Sequence, residues 1–259
     1  MAILDQFSLI WVYIGTVLLV MVAAETGFQV GNWLQRRDPD SGKALLTGPV
    51  VGGMLGLMAF LLGFCISIVI SQHNGRKAMV VSEANAIGTA YLRADFLDDD
   101  SRKTTQNLLR EYVEIRLAAA SDASQYEAAV ARSEGIHGEV WSLVVQNVAQ
   151  GNESAVMALF VDSINEVIDM HSLRLSAIQL RLPQQLGTVL YAATLLSFLL
   201  VGVSSSANGK RDTLTIFLFA LAFVTVFMII VDLDRAQEGL LTVSQTALSD
   251  LLNQMTPGP

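Results

Sequence analysis

Four stretches of this chain are uncharged, apolar and long enough to cross a membrane as helices. They cover residues 8–24, 50–70, 186–203 and 214–231, and none contains Asp, Glu, Lys or Arg. A hydrocarbon core about 30 Å thick needs roughly 20 apolar residues in helical form. With 52% hydrophobic and 15% charged residues, the chain is also too apolar for an ordinary soluble domain of its size. We therefore predict a polytopic membrane protein with four transmembrane helices.

The polar sequence between the second and third stretches is predicted to be a helical insert. Helical patterns occupy residues 78–97, 101–120, 123–149 and 153–182, and each break offers an Asp, Ser or Asn that can cap the next helix. The run Asp98-Asp99-Asp100 fits such a capping loop, because it lacks the ligand spacing of a calcium-binding EF-hand. The predicted fold class is all-α, with two plus two transmembrane helices flanking the extramembrane insert. The expected parts are residues 1–71, 72–185 and 186–235, with an amphipathic C-terminal tail at 236–259.

The second apolar stretch has two different faces. At about 100° per residue, aliphatic side chains fill one arc, and glycine, phenylalanine and hydroxylated residues fill the other. This arrangement predicts a helix with lipid on one side and a closely packed or wet surface on the other. The residues of the second arc are our candidates for lining a pore or its neck: Phe60, Gly63, Phe64, Ser67, Ser71 and Asn74.

A glycine series begins the same stretch. Gly48, Gly52 and Gly56 are spaced four apart, and such small-xxx-small steps let helix backbones approach closely. The glycines can pack against a helix of the same subunit, pack against another copy of the chain, or line a pore. The more polar residues that follow favour a subunit interface or a pore lining. Phe60 and Phe64 would form an apolar constriction if several copies surrounded one axis. Their alternative role is to fill space between helices.

Four polar residues near the ends of the spans are further candidates. Glu83 and Asn85 follow the second span, and Asp232 and Asp234 follow the fourth. Glu83 either forms an interhelical pair with an arginine or faces ions in a gating role. The segment that contains Asp232 and Asp234 is either a membrane-boundary turn with an internal ion pair or a cation or gating site beside a pore.

Several classes of protein are disfavoured. Proton-coupled transporters usually place an ionisable group at membrane depth, and the four stretches contain none. His73, His137 and His171 lack the spacing of a zinc or di-iron site, and no nucleophile elbow or phosphate loop is present. A net charge of −8 disfavours a nucleic-acid partner. We expect no enzyme activity, no cofactor, no metal and, with Cys65 alone, no intrachain disulfide.

The orientation in the membrane rests on a balanced count of basic residues. Four spans put the N-terminus, the insert and the C-terminus on one side. That side carries Arg76, Lys77, Arg174, Arg181 and Arg235, and the other carries Arg36, Arg37, Lys43, Lys210 and Arg211. The positive-inside rule therefore leaves the orientation open. The absence of paired cysteines favours a cytoplasmic insert.

Several segments together resemble a known family. They are Ala59-Phe60-Leu61-Leu62-Gly63-Phe64, Gly75-Arg76-Lys77, residues 83–95, Leu109-Arg110-Glu111-Tyr112-Val113 and Asp232-Leu233-Asp234-Arg235. They are similar to the bestrophin-like family of mainly bacterial membrane proteins, which is distantly similar to bestrophin ion channels. The resemblance implies a homopentamer whose second helix lines a narrow apolar neck, with Phe60, Phe64 and Ile68 in that neck. The sequence departs from the bestrophin pattern in two ways: Ile68 lies off the arc of the phenylalanines, and no acidic calcium clasp is present.

Our leading hypothesis is a homo-oligomeric ion channel whose second transmembrane helix lines a central pore with an apolar neck. Its expected partners are membrane lipids, inorganic ions and further copies of the chain, with a bacterial inner membrane as its expected location. The ion sign stays open: Glu83, Asp232 and Asp234 would favour cations, and Arg76 and Lys77 would favour anions. The alternative is a non-conducting scaffold or sensor whose insert binds a partner. A transporter ranks last, because the two membrane pairs show no convincing similarity.

Overall fold

In the part of the chain that the structure describes, the protein is all-helical. The computed structural model describes residues 7–37, 48–151, 154–207, 213–235 and 239–256, and no strand occurs within these ranges. This confirms the predicted fold class. The residues Lys43, Asn152, Lys210 and Arg211, on which parts of the sequence interpretation rest, lie outside these ranges. The helices, in chain order, are α1 (Leu9–Arg37), α2 (Gly48–Arg93), α3 (Asp99–Ser121), α4 (Tyr126–Ala149), α5 (Ala155–Gln179), α6 (Gln184–Ala207), α7 (Thr213–Asp234) and α8 (Thr246–Met255).

The described residues form two compact units. The span unit comprises those up to Ser71 together with Arg181–Arg235 and Gly239–Leu241, and the insert unit comprises those of Gln72–Leu180 and from Thr242 onward. Four helical segments are long and apolar enough to cross a membrane. They contain the four predicted spans except for Ser8, and the third span lies in α6. The prediction of a membrane protein with two plus two spans is thus confirmed.

The second span continues into the insert as one helix. α2 runs unbroken from Gly48 to Arg93. It contains the span predicted at residues 50–70 and most of the separate helix predicted at 78–97. The prediction of two helices is wrong here because nothing in the intervening sequence breaks a helix. It contains no proline, and its one glycine, Gly75, costs a helix only about 1 kcal/mol. A short 3-10 turn at Ala94–Phe96 then ends the segment.

In the span unit, α1 and α6 approach each other through glycines. A Cβ added to Gly202 would lie 2.8 Å from the carbonyl carbon of Ala24 and 2.9 Å from the amide nitrogen of Phe28. A Cβ added to Gly27 would meet the backbone of Leu199. The two backbones are therefore in direct contact, as small residues allow in membrane helices. Around this contact, Val20, Phe198, Val224 and Ile230 are fully buried and belong to one apolar core.

The insert unit has its own apolar core. Tyr112, Phe160, Ile87 and Ile136 are fully buried at its centre, from α3, α5, α2 and α4. The C-terminal helix α8 joins this core by burying Leu248 and Met255. The predicted amphipathic tail thus packs on its own chain from Thr246 onward.

Polar side chains cap two of the insert helices, and the cap at Asp98 is the one that the sequence predicts. The carboxylate of Asp98 accepts hydrogen bonds from the backbone N–H groups of Asp100 and Ser101 at 3.1 and 3.0 Å, which caps the N-terminus of α3. These bonds lower the pKa of Asp98. Ser154 caps α5 in the same way through the N–H of Met157. The acidic run at 98–100 is therefore a helix cap, in agreement with the interpretation given above.

Candidate functional site

The candidate pore-lining residues lie together on one uncovered face of α2. Phe60 is 68% exposed and Phe64 is 49% exposed. The remaining candidates, Gly63, Ser67, Ser71 and Asn74, are also exposed. We call these six residues the polar-small face of α2. Within the described part of a single chain, no helix covers it.

The opposite face of α2 is in the core of the protein. Met58, Leu62, Cys65 and Val69 are each at most 5% exposed and pack against the other spans. We expected lipid on the aliphatic side of this helix, and that expectation is wrong. The aliphatic arc is buried in the protein core instead, where it packs against side chains of α1, α6 and α7. Lipid, water or another subunit must therefore meet the polar-small face.

The glycine series of α2 is open in the same way. Apart from the adjoining turns of α2 itself, an added Cβ at Gly48, Gly52 or Gly56 would find no heavy atom of the described chain within 4 Å. These glycines thus make no close contact with another helix of the same subunit in the described ranges. Close glycine contacts occur instead at Gly27, Gly31 and Gly202, and the sequence interpretation missed them. The step from Gly27 to Gly31 in α1 was the signal that could have revealed them.

Glu83 is fully buried in the insert unit and surrounded by donors. Its Oε1 accepts a hydrogen bond from the Tyr112 hydroxyl at 2.7 Å and lies 3.3 Å from Nε of Arg116. Its Oε2 is paired with Nη1 of Arg174. The interhelical arginine pair expected for Glu83 therefore forms, and with two arginines. Both carboxylate oxygens are engaged, and the exposed fraction of the side chain is zero.

Two histidines extend this buried cluster. Nδ1 of His171 lies 3.0 Å from the Tyr112 hydroxyl, and the His171 ring meets that of His137 edge-on at a centroid distance of 5.0 Å. The Tyr112 hydroxyl donates its one hydrogen bond to Glu83, so it accepts a hydrogen bond from Nδ1 of His171. Neutral His171 therefore carries its proton on Nδ1. Burial, the largest cause, lowers the pKa of His171 to about 4. Burial also lowers the pKa of His137 and raises that of Tyr112.

This cluster was only partly visible in the sequence. The histidines are far apart along the chain, so their contact depends on how α4 and α5 pack. Tyr112 and Arg116 are one turn apart on α3, and His171 and Arg174 are one turn apart on α5. Such spacing puts each pair on one helix face. These two polar pairs lie on otherwise apolar helix faces. They were the sequence signal from which several partners for Glu83 could have been predicted.

Asp232 and Asp234 hold neighbouring parts of the backbone in the span unit. Asp232 accepts hydrogen bonds from the N–H groups of Leu240 and Leu241 at 2.8 and 3.1 Å. Asp234 accepts one from the N–H of Leu182 at 2.6 Å. Both side chains are buried. Asn85, by contrast, is exposed on α2. Among the polar candidates near the span ends, Asn85 alone is thus open to solvent in the described chain.

Comparisons with known proteins agree with this architecture. The sequence matches the Bestrophin-like domain over residues 16–248. No protein of curated function matches it. Among solved structures, the chain is similar to a variant of a bacterial Bestrophin homolog from Klebsiella pneumoniae, with a TM-score of 0.68 at 13% identity over 93% of this chain and 95% of that chain. A second variant of that homolog gives a TM-score of 0.66 at 12% identity over 95% of this chain and 96% of that chain. A crystal structure described as that of a membrane protein gives 0.66 at 12% identity over 96% of each chain. At these identities the likeness shows the fold.

Proposed function

Because the chain belongs to the Bestrophin-like family, we propose that it forms a homo-oligomeric ion channel in which α2 of each subunit lines a central pore. The observation that carries this proposal is the polar-small face of α2. It is uncovered in a single chain, although the aliphatic face of the same helix is buried. A pore formed by several copies around one axis gives these exposed hydroxyls and glycines a wet or closely packed environment.

Phe60 and Phe64 are proposed to form the neck of this pore. They are one helical turn apart and both project from the protein surface. Rings of apolar side chains gate by dewetting, because water leaves a narrow apolar passage. Ser67, Ser71 and Asn74 follow on the same face and offer oxygen and amide groups to partly hydrated ions. The order along α2 is thus an apolar neck followed by a polar section.

The glycine series is proposed to bring neighbouring copies of α2 close together. Gly48, Gly52 and Gly56 have open space around them in the single chain, and helix contacts in membranes depend on small residues of this kind. Closed rings are the usual form of homo-oligomers with a head-to-tail contact. Five subunits are proposed on the family resemblance alone.

The acidic candidates receive different roles in this proposal. Glu83, Asp232 and Asp234 are assigned a structural role, since each is buried and its carboxylate accepts bonds from arginine or from backbone N–H groups. Asn85 stays a candidate for facing ions, because it is exposed. The insert is proposed to lie in the cytoplasm, with the protein in a bacterial inner membrane.

The test is ion conduction by the purified protein in planar bilayers under a salt gradient. The protein is expected to give discrete currents, and the reversal potential reports the ion sign. The variant Phe60→Ala/Phe64→Ala should give larger currents, because the neck is wider and holds water. A matched control is Phe217→Ala/Leu218→Ala, which removes two exposed apolar side chains from α7 and should leave the currents unchanged. Normally assembled protein that gives no current in either form would instead support a non-conducting scaffold.

A further inference from the structure

The insert unit contains a cavity whose wall includes three arginines together with the polar residues Ser121, Tyr126, Thr242 and Gln245. Its volume is about 120 Å³, which is room for a few water molecules or one small polyatomic ion. Arg76, Arg116 and Arg174 line it, and each is at most 7% exposed. Much of the remaining wall is apolar, with Val80, Ala119, Ala120, Ala123, Ile178 and Val243. We call this the arginine cavity.

Positive charge exceeds negative charge around this cavity. Arg116 and Arg174 share one carboxylate, that of Glu83. Arg174 also donates to the side-chain oxygen of Gln245 at 2.7 Å, which is a neutral group. Among the described residues that line the cavity, none is Asp or Glu. Buried charges in proteins are normally paired, so two guanidinium groups and one carboxylate leave a net charge of +1 to be balanced.

Arg116 has hydrogen-bonding capacity left over. A guanidinium has five N–H donors. Arg116 is 4% exposed, and its Nε is buried without a hydrogen bond to any described residue. Its only direct partner in the described chain is Glu83, at 3.3 Å from Nε. Arg76, on the same wall, is held by hydrogen bonds to the carbonyl oxygens of Ala177 and Leu180. That hold fixes its position beside the cavity.

We propose that the arginine cavity binds a small oxyanion, either a carboxylate or a phosphate. Planar guanidinium groups bind two oxygens of such an ion at once, in a way that a spherical halide does not match. An oxyanion would supply the missing negative charge and accept the unused N–H groups of Arg116. The site lies within the insert unit and is distinct from the polar-small face of α2. Its occupancy is therefore measured as binding, without any ion conduction.

The experiment is calorimetry and thermal unfolding of the full-length protein in detergent at constant ionic strength. The probes are inorganic phosphate and acetate, with chloride as the halide control. Saturable binding of one oxyanion per chain and a higher unfolding midpoint are expected. Binding of phosphate alone assigns a phosphate site, and binding of acetate alone or of both assigns a carboxylate-compatible site. Absence of binding by both oxyanions, or an equal effect of chloride, would overturn the proposal.

Two pairs of variants locate the binding. Arg116→Lys keeps the charge but loses the planar fork, and is expected to weaken binding about tenfold or more. Its control is Arg132→Lys, at a partly exposed arginine paired with Glu111 and Glu139, where no change is expected. Ala119→Leu fills the cavity without touching any charge and is expected to abolish binding. Its control is Ala118→Leu, one residue away and outside the cavity lining. Oxyanion binding that persists in both Arg116→Lys and Ala119→Leu would refute the site.

Discussion

Replacing Gly202 and Gly56 with alanine separates packing within a subunit from packing between subunits. In Gly202→Ala the new methyl group would lie 2.8 Å from the carbonyl carbon of Ala24 and 2.9 Å from the amide nitrogen of Phe28. Ordinary contacts begin at 3.4 Å. The Ala24 carbonyl oxygen would lie closer still. Because all three neighbours are backbone atoms, α1 and α6 must move apart, and overpacking of this kind costs about 1–3 kcal/mol. Gly202→Ala should therefore lower the free energy of unfolding of each chain.

Gly56→Ala is the matched change at a glycine with open space. Apart from the adjoining turns of α2, no heavy atom of the described chain lies within 4 Å of the added methyl group, and alanine is favoured over glycine in a helix by about 1 kcal/mol. The single chain should be as stable as the parent or more stable. If copies of α2 meet at this glycine, however, the methyl group separates them and the assembled fraction falls.

The assay combines thermal unfolding by tryptophan fluorescence with light scattering after size exclusion, in the same detergent. Gly202→Ala should lower the unfolding midpoint, and Gly56→Ala should reduce the assembled fraction without lowering the stability of the dissociated chain. An unchanged midpoint for Gly202→Ala would refute the α1–α6 backbone contact. Full assembly of Gly56→Ala would refute the subunit interface at the glycine series.

Two further predictions concern the buried cluster in the insert unit. Glu83→Ala leaves Arg116 and Arg174 buried without their carboxylate, which should lower the free energy of unfolding by about 3–5 kcal/mol. A smaller loss than in Glu111→Ala, which breaks the partly exposed pair with Arg132, would contradict the cluster. Because burial lowers the pKa of His171 from 6.5 to about 4, the folded state binds fewer protons than the unfolded state between these values. The contribution of His171 to the free energy of unfolding should therefore be complete above pH 6.5 and decrease as the pH is lowered toward 4. In unfolding titrations, His171→Asn should reduce this decrease.

Much of the architecture follows from local sequence patterns. Uncharged apolar stretches have few stable forms other than membrane-spanning helices, so the four spans could be predicted directly. The cap at Asp98 could also be predicted, because a short acidic side chain before a helical pattern satisfies the first N–H groups of that helix. The two faces of α2 were visible in its periodicity as well.

The parts that could not be predicted depend on contacts between distant helices. The aliphatic arc of α2 meets either lipid or protein with similar side chains, so periodicity cannot decide which face is buried. The contact of His137 with His171 depends on how α4 packs on α5. The same limit explains Asp232 and Asp234, whose backbone partners Leu240 and Leu182 are set by the fold. Whether the polar-small face surrounds ions depends on further copies of the chain.

The most direct test of the pore is chemical modification of a thiol placed on the polar-small face. In a background that carries Cys65→Ala, which removes the only native thiol, Ser67→Cys is compared with Leu218→Cys, an exposed position on α7. A charged, membrane-impermeant thiol reagent is added while current is recorded in planar bilayers. If α2 lines the pore, the reagent should block the current through Ser67→Cys channels and leave that of Leu218→Cys unchanged. Complete labelling of Ser67→Cys with no change in current would contradict a pore lined by α2.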